Sequence, residues 1–147
     1  MNSRHRPNPQ ISPKISKTFS PSQRVHAGRA AESQAERIFI AENPGARLLC
    51  RNFKNKGFEL DLVFWVPGKT AQASEWVFVE VRMLSDPRAF QAGMADQSIT
   101  PKKRAQVEKG ARWFLAHTPR PKSVQSIRFS VITLGPGGFH YWPRAWG

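Results

Sequence analysis

Three runs dominated by Val, Leu, Phe and Trp stand close together in the middle of the chain: RLLCRNF at 47–53, FELDLVFW at 58–65 and WVFVEVRML at 76–84. Side chains of this kind fit a pleated, half-buried surface. Only KNKG separates the first two runs, and a turn that short folds them back as a hairpin. A chain with this centre must build a sheet and cover it. The same runs carry Glu59, Asp61 and Glu80, and an unpaired carboxylate between apolar neighbours is costly to desolvate. Something has to compensate these acids.

The flanking segments supply the cover. From Gly28, Ala31, Ala35, Ile38 and Phe39 recur at helical spacing, and Asn43-Pro44-Gly45 stops the run. Thr100-Pro101 is a strong helix start, an N-cap residue followed by a first-turn proline. Val107, Ala111, Phe114 and Leu115 give that second helix an apolar stripe, and it ends near HTPRP. IRFSVITL at 127–134 reads as a fourth strand, and GPGG followed by FHYW as a short final strand at the sheet edge. Residues 84–99 have no clear period and contain Pro87 and Gly93, so a long loop is expected. The second helix is long enough to cross over the sheet, which lays the fourth strand parallel to the third. The expectation is a three-layer α/β domain with a mixed sheet over residues 28–147.

Residues 1–27 contain four prolines and no acid, a composition expected to give a disordered basic arm. With 23 Lys and Arg against 10 Asp and Glu, the formal charge is +13 and the pI about 11.1. That imbalance puts nucleic acid first among partners, ahead of an anionic membrane surface or a ribosome-like assembly, and predicts salt-sensitive binding. The lone Cys50 excludes an internal disulfide or a thiolate metal cluster and reads as a small strand residue. No run approaches the roughly 18 apolar residues of a membrane span, and no secretion signal is recognisable. A cytoplasmic protein without a membrane partner is expected.

Alternation along a strand puts Glu59 and Asp61 on one face, with Leu60, Leu62 and Phe64 on the other; Glu80 and Arg82 likewise share a face. If the second and third strands pair, Asp61 and Glu80 converge. Converging carboxylates raise each other's pKa unless a cation lies between them, and a hard ion such as Mg²⁺ suits oxygen donors. Ordinary salt bridges, Glu80 with Arg82 and Asp61 with Lys54 or Lys56, are the competing account. His5, His26, His117 and His140 have no ligand spacing. Trp113 and Phe114 read as core, while FHYWPRAW either seals the sheet edge or offers rings and Arg144 to unpaired bases.

From Gly28 to about Trp142 the chain resembles the YraN family of uncharacterised bacterial proteins, on GRAAESQAERIFI, RNFKNKGFELDLV, VFVEVR, TPKKRAQVEKGARWFL and IRFSV in that order. The resemblance implies a fold similar to Holliday-junction resolvases, an αβββαβ restriction-endonuclease-like core of the PD-(D/E)xK nuclease superfamily. It makes Asp61 and Glu80 the metal carboxylates and Glu32 a further ligand from the first helix; a salt bridge of Glu32 to Arg29 or Arg37 is the alternative. Glu59 matches an acid of the family's G-E-(I/L)-D-L pattern, with Phe58 inserted after Gly57. Arg82 takes the place of the superfamily's lysine, able to stabilise developing charge but not to act as a base. Lys103 is the other candidate for that role, and with Lys102 and Arg104 it forms a basic cluster at a helix N-terminus suited to phosphate. Ser130 stands where the family often has Asp. The expected activity is Mg²⁺-dependent DNA endonuclease cleavage, with Mn²⁺ as a substitute, on branched or structured DNA, by a monomer or a homodimer. The competing expectations are a nucleic-acid-binding module with a decayed site and a basic interaction protein of a replication, repair or uptake assembly.

Overall fold

The computed structural model describes residues 4–7, 21–70, 72–91, 99–119 and 124–146. Their order is β1 (Arg4–Pro7), α1 (Pro21–Glu42), β2 (Arg47–Asn55), β3 (Phe58–Pro67), β4 (Ser74–Met83), α2 (Pro87–Gln91), α3 (Pro101–His117), β5 (Val124–Gly135) and β6 (Gly138–Trp146). The β2–β3 hairpin closes over Lys56-Gly57, where Gly57 adopts a φ of 91° that a residue with a Cβ reaches only under strain. β3 pairs antiparallel with β4, β4 parallel with β5, and β5 antiparallel with β6. The parallel step is the one the α3 crossover dictates. The sheet order is β1-β6-β5-β4-β3-β2, a mixed sheet between helices, and the α/β three-layer reading holds.

Each helix covers one face. α1 buries Ala31, Ala35, Ile38 and Phe39 against Leu62, Phe64, Val77, Val79, Ile132 and Tyr141, with Phe39 stacked on Phe64 at 4.2 Å between ring centroids. α3 buries Val107, Ala111 and Phe114 against Phe58, Leu60, Val63, Trp76, Phe78 and Phe129. Its start is built as expected: Pro101 begins the helix and the Lys103 amide donates to Thr100 Oγ1 at 3.1 Å.

Several boundaries differ from the sequence expectation. α1 begins at Pro21, seven residues before Gly28, because a proline is well suited to a first helical turn. Arg4–Pro7 pairs along β6, and residues 8–20 lie outside the described ones. β6 is not a short edge strand: it runs nine residues between β5 and β1, since its tight turn at Pro136-Gly137, with φ 77° at Gly137, delivers a long register against β5. The segment expected to be a loop from Leu84 contains α2, whose Phe90 is fully buried; residues 92–98 lie outside the described ones.

The largest departure lies in β3. Leu60 and Val63 both face α3, while Leu62 and Phe64 face α1. Strict alternation would have kept Leu60 with Leu62. The phase slips at Asp61, opposite Asn52 in the β2–β3 register, and Asn52 is the one described non-glycine residue with positive φ, at 49°. An irregularity of this kind re-aims a side chain.

Candidate active site

The re-aimed side chain is Asp61. The β3–β4 ladder runs from Pro67 and Ser74 to Leu62 and Val79, and continuing it by one residue sets Asp61 opposite Glu80. There the side chain takes over from the backbone: the Val81 amide donates to Asp61 Oδ2 at 2.9 Å. The Asp61 and Glu80 carboxyl groups are hydrogen-bonded to each other. Both are buried, at 9% and 3% exposure.

Two cations close over this pair. Lys103, from the first turn of α3, brings Nζ to 3.4 Å from Glu80 Oε1. Arg82, two residues along β4, brings Nη1 to 3.9 Å from the same oxygen. The Thr100 cap fixes the backbone that carries Lys103. Asp61, Glu80, Arg82 and Lys103 therefore meet at one point where β3, β4 and the α3 N-terminus adjoin.

The electrostatics are strained. Burial, followed by the Asp61 charge, pushes the Glu80 carboxyl up to about 8, against the pull of Lys103 and Arg82. Asp61 is also raised, by burial first, but the Val81 amide, the Glu80 hydrogen bond and Lys103 all draw it back down. Burial and mutual proximity thus favour a proton shared between the two carboxyl groups. Two buried oxygen-rich groups sharing a proton are the kind of donors a hard divalent cation takes. The residues present fit such an ion.

The other expected site residues are arranged less closely. Glu32 lines a cleft of about 370 Å³ with Arg29, Glu36, Arg51 and Asn52, and its carboxyl is raised by burial and then by the charges of Asp61 and Glu59. It senses the pair without joining it: among the described residues no three His, Cys, Asp or Glu side chains gather as a metal-binding group. Glu59 pairs with Lys54 at 4.0 Å, the salt-bridge role that had been open for Asp61. Lys102 is exposed. Arg104 sits over the Trp146 ring at 5.7 Å.

Sequence reasoning missed the polar network beside the site. Arg128, buried on β5, donates to Tyr141 Oη at 3.2 Å, to the Pro143 carbonyl at 2.9 Å and, through Nε, to Glu75 at 3.3 Å. Ser130 accepts from Arg128 at 3.2 Å and donates to the Pro143 carbonyl at 2.6 Å. Ser130 thus ties β5 to β6 and is aimed away from the acids. The aromatics of FHYWPRAW seal rather than project: Tyr141 and Trp142 are buried, and Trp146 stacks on Phe129 at 5.0 Å and donates to Glu108. His140 is buried with Nε2 at 2.8 Å from the Phe90 carbonyl oxygen.

A profile of the uncharacterised protein family UPF0102, the YraN family, matches residues 31–134. The chain belongs to UPF0102. The matched segment runs from α1 through β5 and contains Glu32, Asp61, Glu80, Arg82 and Lys103. Among similar proteins, a UPF0102 protein of Cupriavidus taiwanensis is 38% identical over 108 residues, 74% of each chain. One of Hahella chejuensis is 37% identical over 126 residues, 82% of this chain and 90% of its own. One of Pelobacter propionicus is 34% identical over 125 residues, 85% and 82%. Within this UPF0102 protein, no helix among the described residues is long and apolar enough to cross a membrane.

Proposed function

We propose that this UPF0102 protein is a divalent-metal-dependent endonuclease that hydrolyses phosphodiester bonds in branched or otherwise structured DNA. The observation that carries the reading is the buried, hydrogen-bonded Asp61–Glu80 pair lying under Lys103 and Arg82. Asp61 and Glu80 would hold the ion, with Glu32 acting on it through its charge. A bound Mg²⁺ or Mn²⁺ supplies Lewis-acid polarisation of the phosphate and activation of water.

The chain's own groups have complementary tasks. Lys103 and Arg82 face the charge that builds on the phosphate oxygens in the transition state. An arginine guanidinium offers donors and no acceptor, so the role of Arg82 is electrostatic. The positive end of the α3 dipole lies in the same region, and exposed Lys102 would give a backbone contact that positions without reading sequence.

A binding module without catalysis is the second reading. It is favoured by Arg82 in the lysine's place and by Ser130, whose hydroxyl is committed to Arg128 and Pro143.

The test is cleavage of linear, flapped, single-stranded and four-way DNA by the purified protein with Mg²⁺ or Mn²⁺. Asp61→Asn and Glu80→Gln are each expected to abolish cleavage while leaving DNA affinity within about threefold, because affinity resides in phosphate contacts elsewhere. Salt-sensitive binding with no cleavage of any substrate would leave the binding module.

A further inference from the structure

A second recess lies at the opposite end of α3 from Lys103. It is a cleft of about 690 Å³ between β2, β3 and the last turns of the helix, with Arg47, Leu49, Trp65, Trp113 and His117 among its walls. Along a helix rising 1.5 Å per residue, Lys103 and His117 are separated by about 20 Å. The cleft is thus remote from the acid pair but joined to it by one rigid element.

Its walls are ordered aromatic surfaces. Phe53 stacks on Trp113 at 4.9 Å with 28° between planes, and Trp113 stacks on His117 at 4.1 Å with 14°. His117 is exposed, and its ring is fixed by Nδ1 at 2.8 Å from the Trp113 carbonyl oxygen. Among the described residues the stack therefore ends on a held, exposed ring that lines the cleft. On the facing wall the Arg47 guanidinium lies over Trp65 at 5.5 Å. No carboxylate is among the lining residues described.

A ring stack left open at one end, faced by an arginine and free of acids, fits a flat π-bearing group attached to an anion. A base paired inside a duplex cannot enter, because both of its faces are occupied by its neighbours. A second copy of this chain is disfavoured by the mutual repulsion of molecules carrying +13 each. We propose that the cleft takes an unpaired nucleobase of a single-stranded segment, stacked against His117 with Arg47 at the adjoining phosphate. The inference rests on the nucleic-acid reading of the acid pair and adds to it a preference for substrates with an unpaired strand about 20 Å from the cut.

The experiment is fluorescence anisotropy of labelled oligothymidylate and of a blunt duplex, in chelator so that nothing is cleaved, with sedimentation velocity on the same samples. His117→Ala removes an exposed ring and is expected to weaken oligothymidylate about tenfold, the loss of one stacked base, with duplex affinity unchanged. His117→Phe should restore the single-strand affinity, and Trp65→Ala should repeat the His117→Ala pattern. Equal losses on both DNAs, or no loss on either, would overturn the proposal. So would a dimer that the same substitutions turn into monomers, since a second copy would then fill the cleft. Wild-type protein that binds neither DNA would instead remove the nucleic-acid reading itself.

Discussion

Glu80 is the residue at which charge and burial conflict most. Its carboxyl, ordinarily at 4.5, is pushed up to about 8 by burial and then by Asp61. Between those two values the unfolded chain has released the proton while the folded protein keeps it. The folded state binds more protons there, so stability falls as pH rises and levels off above about 8. The slope contributed by one group cannot exceed about 1.4 kcal/mol per pH unit. Urea titrations of metal-free protein should therefore give a midpoint that declines between about pH 5 and about pH 8. Glu80→Gln, which imitates the protonated acid, should remove most of that decline and exceed the wild type at the alkaline end. Saturating Mg²⁺ should flatten the wild-type curve, because an ion between the carboxylates replaces the proton. A wild-type midpoint independent of pH would mean that the pair is ionised without cost.

At the scale of elements, α3 does two jobs, covering one face of the sheet and presenting Lys103 to Glu80. Its approach depends on Gly110. A Cβ there would lie 2.7 Å from Phe58 Cδ2 and 2.8 Å from Leu60 Cδ2, both on the strand that carries Asp61. Gly110→Ala gains about 1 kcal/mol of helix propensity, but overpacking costs about 1 to 3 kcal/mol, and the clash on both side chains decides the sign. The variant should be less stable by about 1 kcal/mol in urea unfolding, and cleavage should fall further than stability does because α3 and β3 are forced apart. A more stable variant would mean that the helix seats more loosely. Most of this architecture was legible in the sequence: Thr100-Pro101 marked the start of α3, the β2–β3 turn was signalled by KNKG, and the acids within apolar runs pointed to Asp61 and Glu80. Other features were not, for physical reasons. The slip at Asp61, beside a left-handed Asn52 in the neighbouring strand, is a tertiary feature that alternation cannot contain. Arg128 gave no signal because its partners Glu75, Ser130, Asn43, Tyr141 and Pro143 come from four separate stretches of chain. The His117 stack had a weak signal in the Trp113–His117 spacing of four residues, but Phe53 reaches it only through the fold.

For the molecule as a whole, the proposed nuclease reading makes the unequal distribution of charge a means of separating binding from chemistry. Residues 1–20 carry Arg4, Arg6, Lys14 and Lys17 and no acid, and they precede both α1 and the family match at residues 31–134. Their removal leaves Asp61, Glu80, Arg82 and Lys103 untouched, and it takes away Arg4–Pro7, which covers the outer edge of β6 from Gly138 to Tyr141. Two independent consequences are expected. If those four cations meet phosphates, the slope of log affinity against log salt should become shallower by up to about 3.6, since each phosphate they neutralise accounts for about 0.9. Any cleavage by the shortened protein should keep its rate at saturating DNA, because the groups that act on the phosphate remain in place. Meanwhile the amides of β6 that lose a neighbouring strand should exchange faster with solvent, whether or not DNA is present. An unchanged salt slope with faster β6 exchange would assign the segment to the sheet alone. A shallower slope with unchanged exchange would assign it to the polyanion, since a strand that covers an edge and a basic arm that follows a phosphate backbone make different demands on the same residues.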